Sequence, residues 1–82
     1  MPYITQARKN ALPVDTLPQP ECAGELNYLF TVIAHNYLKL KGKNYQHIND
    51  VVGALDGAKV EFQRRVVAPY EDTKIQQNGD VP

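Results

Sequence analysis

Two apolar stripes at helical spacing, separated by a short polar break, constrain this chain more than any other feature. Leu26, Leu29, Phe30, Ile33, Tyr37 and Leu40 recur mainly at steps of three and four, the interval that gathers side chains on one helical face. Ile48, Val51, Val52, Leu55, Phe62 and Val66 form a second stripe, interrupted only at Ala58 and Lys59. The spacing predicts helices over about 22–40 and 45–67.

The residues between and after the stripes act as punctuation. Lys39, Lys41 and Lys43 gather where cations face the negative end of a helix dipole, and Gly42 is a natural left-handed terminator. Asn44 can cap the second helix through its side-chain oxygen. Pro69 is expected to stop that helix, because it disfavours helical geometry at Ala68 and supplies no amide. A connection as short as Lys41 to Asn44 folds two amphipathic helices back antiparallel. The predicted fold is therefore all-α: an antiparallel two-helix hairpin with a Pro-rich N-terminal arm and a short C-terminal tail. In segments, this is an arm at 1–21, a hairpin at 22–68 and a tail at 69–82.

The arm holds four of the chain's six prolines, and Tyr3, Ile4, Leu12, Val14 and Leu17 give it apolar side chains to lay onto something. It reads as a strap with a helical turn near Gln6 to Ala11, open as to whether it crosses its own subunit or a neighbour. The tail carries the turn dipeptide Asn78-Gly79 and few apolar residues beyond Tyr70, Ile75 and Val81. With 82 residues, one small domain removes only roughly 60% of its unfolded surface, so its own core is thin. Tyr28, Val32, Val60 and Val67 leave apolar flanks outside the two stripes. Self-association, with a second hairpin as cover, is expected.

Composition narrows the function classes. Nine basic and nine acidic residues give zero formal net charge, which lacks the global attraction to polyphosphate that nonspecific nucleic-acid binders use. No apolar run approaches the roughly 20 residues of a membrane span. Cys22 is alone, and the opening MPYITQARKN has no hydrophobic segment of the secretion type. The expected compartment is the cytoplasm of a bacterial cell.

Several residues could carry chemistry. Gly53 and Gly57 lie one helical turn apart beside Ala54 and Ala58, each costing about 1 kcal/mol relative to alanine in a helix interior. Small residues at that spacing admit a neighbouring backbone or a flat ligand. Arg64 and Arg65 follow Glu61 by one turn: an i,i+4 ion pair is one reading, phosphate binding through the planar guanidinium fork the other. Tyr28, Tyr37, Tyr45 and Tyr70 offer packing faces, or a stacking platform with a hydroxyl. His35 and His47 have no second ligand at metal spacing, and Cys22 has no activating partner. Asp56 and Glu61 share a helix, where solvation or ion pairing competes with an acid–base role. The lysine tip is a solvated turn or a contact for an acidic partner or nucleic-acid backbone. No catalytic constellation stands out, so neither an enzyme nor a cofactor is expected.

The blocks MPYI, AGELNY (23–28), NYQHINDVVGAL (44–55), AKVEFQRRVVAPYED (58–72) and KIQQNGDV (74–81) resemble a small uncharacterised protein family of bacteriophages, prophages and bacteria. That family usually ends in an aromatic after NGDV, where this chain has Pro82. The helix ALDGAKVEFQRRVVAP is similar, more loosely, to the second helix of phage anti-defence hairpins that sequester cyclic nucleotide signals of CBASS and Thoeris immunity. This similarity implies a homo-oligomer that traps a cyclic nucleotide or cyclic ADP-ribose type signal between subunits without cleaving it. Arg64 or Arg65 would meet phosphate, a tyrosine among Tyr28, Tyr37 and Tyr70 would stack on a base, and Gly53 or Gly57 would allow close approach. The alternative is a structural or partner-binding module with no small-molecule ligand.

Overall fold

In a computed structural model that describes residues 4–82, every regular element is helical, and no strand occurs among the described residues. Helix α1 spans Gln6–Ala11, α2 spans Ala23–Lys41, α3 spans Tyr45–Phe62 and α4 spans Ala68–Asn78. A 3-10 turn at Val14–Thr16 lies in the arm, and a π-helical segment at Gln63–Val67 joins α3 to α4. Tyr3, counted above among the arm's apolar side chains, lies outside the described residues.

The local signals set most of the boundaries. Thr5 caps α1 by accepting from the Arg8 amide at 3.2 Å, so the helical turn expected near Gln6 forms. Asn44 Oδ1 accepts from the His47 amide at 2.9 Å and starts α3. Gly42, at φ 102°, ends α2 in backbone geometry that a side chain would oppose, and its amide donates to Leu38 O at 2.8 Å. At the start of α2, Glu25 Oε1 accepts from the Glu21 amide at 2.9 Å, tying the chain just before the helix to its first turn, while Cys22 at the N-cap makes no side-chain cap bond.

The expected stop at Pro69 is not there. Phe62, Gln63, Val67 and Ala68 all keep right-handed helical dihedrals, so α3, the π segment and α4 form one unbroken rod from Tyr45 to Asn78. Pro69 sits in the first turn of α4, just after the Ala68 amide donates to Gln63 O, one residue further back than in an α-helix. That widened turn offers a physical reason: it shifts the bonding register just where proline's missing amide and ring would break a regular helix. The actual stop is Gly79, at φ 84°, whose amide donates to Ile75 O at 2.8 Å. Most of the predicted tail is therefore helix α4. At about 1.5 Å per residue the rod runs for roughly 50 Å, which matches the longest dimension of the molecule, 49 Å.

A second difference concerns the core. Helix α2 packs on α3 beside their connecting turn but meets neither the π segment nor α4, and α1 packs on no other helix among the described residues. Consequently no described side chain is fully buried. The two stripes do not close on each other: Phe30, Ile33, Val52 and Phe62 stay 51–61% exposed. The radius of gyration is 16.5 Å, against roughly 12 Å for a compact domain of this length. The exposed surface is 7465 Å², against roughly 4,900 Å² for a compact protein of this mass.

Candidate functional site

Where α2 and α3 meet, a short polar network ties the two helices together. Backbone reversal between Lys41 and Tyr45 sets Tyr37 of α2 opposite Asp50 of α3, and the Tyr37 hydroxyl donates to Asp50 Oδ2 at 2.9 Å. Gln46, one turn earlier on α3, donates its side-chain amide to Asp50 Oδ1 at 2.8 Å. His47 lies edge-on to Tyr37, with ring centroids 6.2 Å apart and planes at 83°. Its Nδ1 is 2.8 Å from the Gly42 carbonyl. A carbonyl only accepts, so Nδ1 carries the proton in this bond.

The network shifts the titration of its two oxygen acids in opposite directions. The hydrogen bonds from Tyr37 and Gln46 hold the Asp50 carboxyl below its ordinary range, with His47 and Lys41 adding favourable charge and partial desolvation opposing them. The bond to Asp50 raises Tyr37, helped by desolvation and by the carboxylate's charge. Each shift favours the state that makes the bond: phenol against carboxylate.

Beyond this latch the helices enclose an open groove of about 300 Å³. Phe30, Ile33 and Ala34 form one wall and Val51, Ala54 and Leu55 the other, with Tyr37 and Asp50 at its polar end. The lining is apolar apart from that end, and the only charge is a carboxylate. Such a surface suits apolar side chains and repels anions.

The other candidate residues lie elsewhere on the molecule. Arg65 Nε pairs with Glu61 Oε1, and Arg64 Nη1 lies 3.7 Å from the same oxygen, so the i,i+4 ion pair forms and an i,i+3 pair joins it. At Gly53 and Gly57 an added Cβ would meet nothing within 4 Å among the described residues. Tyr28 borders a hollow beneath Pro18, Gln19 and Pro20 of the arm, beside Glu25 and Leu29. Tyr70 stacks its ring under the Lys74 ammonium, 5.4 Å from the centroid. Of the seven residues proposed for a ligand, only Tyr37 lines the groove. Asp50 and Gln46 were not singled out by sequence; the Gln46-to-Asp50 spacing on one helix and the position of Asp50 opposite Tyr37 across the turn were the available signals.

Among the described residues the fold and groove define an elongated all-helical protein with exposed apolar faces and a polar latch where α2 meets α3. The chain belongs to the family described as a domain of unknown function, DUF6899, whose profile matches residues 1–81. No curated protein and no solved structure matches it. Among the described residues no helix is long and apolar enough to cross a membrane.

Proposed function

We propose that this protein is a non-catalytic, self-associating helical module whose folded unit contains at least two copies, and that it acts by docking rather than by chemistry. One observation carries the reading: among the described residues no apolar side chain is buried, although both helices carry stripes built for burial. Its surface exceeds that of a compact protein by roughly 2,500 Å², and obligate homodimers bury about 2,000 to 5,000 Å² in total. A second copy is the simplest cover for Leu26, Phe30, Ile33, Leu55, Phe62 and Val66. The hairpin of α2 and α3 would then be half of a larger bundle. Native mass spectrometry together with light scattering tests this; the expected result is a closed oligomer whose melting temperature rises with protein concentration. A folded monomer melting independently of concentration would sink it.

A second reading is sequestration of a cyclic nucleotide or cyclic ADP-ribose type signal by a phage protein that counters host defence. It is favoured by two guanidiniums gathered on one carboxylate at Glu61, with side chains 66% and 62% exposed. A phosphate carries enough charge to compete for them. The other recognition groups would have to come from a neighbouring subunit. A thermal-shift panel of cyclic dinucleotides and cyclic ADP-ribose isomers decides it: a rise in melting temperature that Arg64→Ala or Arg65→Ala removes supports the reading, and no shift with any ligand rejects it.

A further inference from the structure

We propose that two copies pair with their long helices antiparallel, Lys43 of one opposite Glu71 of the other. This deepens the self-association reading and rests on it. Charge is distributed unevenly along the Tyr45–Asn78 rod. From Leu26 to Asn49 the chain contains no acidic residue, and Lys39, Lys41 and Lys43 crowd the turn at which the rod begins. From Pro69 onward it carries Glu71, Asp72 and Asp80 against Lys74 alone. Among the described residues Lys43, Glu71 and Asp72 make no ion pair within the chain. A parallel pair would set like ends together, whereas an antiparallel pair sets the basic turn of each copy beside the acidic end of the other.

The uncovered apolar surface asks for the same arrangement. Helix α2 shields only the α3 portion of the rod, so Phe62, Val66, Tyr70 and Ile75 stand 60%, 49%, 60% and 40% exposed along the distal half. An antiparallel partner brings its own α2–α3 end to that half, and the two-fold axis makes the cover reciprocal. Placing Lys43 opposite the partner's Glu71 puts the axis at Gly57, midway between them in sequence. Among the described residues an added Cβ at Gly57 would meet nothing within 4 Å. Apolar contact supplies most of the affinity, and the charges select direction and register.

Charge reversal tests the register. Lys43→Glu alone and Glu71→Lys alone each place like charges at both ends of the antiparallel pair. At low salt each should weaken dimerisation about tenfold, within what two altered surface pairs can supply. The double variant K43E/E71K restores attraction and should return the dissociation constant to that of the unaltered protein. In a parallel pair no such rescue exists, because the double variant still sets like against like. Sedimentation equilibrium gives the constants, and circular dichroism checks that helicity is unchanged. Dimers indifferent to both single reversals, or no rescue in the double variant, would overturn the antiparallel register while leaving self-association intact. An unaltered protein that stays monomeric would overturn both.

Discussion

The Tyr37 hydroxyl lies 2.9 Å from Asp50 Oδ2, joining α2 to α3 through the one side-chain hydrogen bond between those helices among the described residues. With no side chain buried among the described residues, this bond, with Gln46 and His47 around it, fixes how the helices leave their turn. The latch forms the polar end of the groove walled by Phe30, Ile33, Ala34, Val51, Ala54 and Leu55.

Because the bond needs a phenol and a carboxylate, stability should fall at both ends of the pH scale. The Asp50 carboxyl titrates below its ordinary value. Its contribution is therefore fully present above about pH 4 and is lost as pH falls through the lower folded-state value. The Tyr37 hydroxyl titrates above its ordinary value. Its contribution is present below about pH 10 and is lost as pH rises through the higher folded-state value. Thermal melts of unaltered protein, Tyr37→Phe and Asp50→Ala across pH should show both variants less stable at pH 7. The Asp50→Ala deficit should shrink in acid and the Tyr37→Phe deficit in alkali. Deficits constant with pH would show that the bond contributes nothing.

Gly42 should tolerate no side chain. At φ 102° and ψ 144° it occupies a backbone region essentially reserved for glycine, so Gly42→Ala is expected to cost about 1–3 kcal/mol and to loosen the turn that aligns Tyr37 with Asp50. Removing the neighbouring cap by Asn44→Ala should cost about 1 kcal/mol, because the His47 amide loses its acceptor. Chemical denaturation of the two variants, read by helicity, gives the order directly. An Asn44 variant more damaging than the Gly42 variant would contradict the backbone argument.

These positions show how much of the architecture was legible from residues alone. Gly42, Asn44 and the Asn78-Gly79 turn act through their own backbone and nearest amides, so their effect is readable in sequence. Pro69 does not end the helix because its tolerance depends on the hydrogen-bond register of the preceding turn, which residue identity does not display. The Glu61 ion pairs follow from helical spacing and were open to inspection. The Tyr37–Asp50 bond is different: it requires the direction of approach of a second helix, and a stripe pattern predicts that helices pack without saying where they touch. Periodicity also marked Phe62 and Val66 for burial. No described residue covers them, and periodicity marks a face for burial without naming what buries it.

Gly57→Ala separates a face open in solution from one occupied in the assembly. Among the described residues an added Cβ meets nothing within 4 Å, and replacing a mid-helix glycine by alanine then gains about 1 kcal/mol of helix propensity. If two rods cross at Gly57, the methyl groups of both copies enter the closest point of the contact. The same substitution would then raise the helicity of dissociated chains at high dilution and weaken the oligomer by roughly 1–3 kcal/mol, typical of overpacking. Concentration-dependent melts distinguish the cases, since only the second reverses the sign of the effect between low and high protein concentration. A uniform gain at every concentration would place the contact away from Gly57.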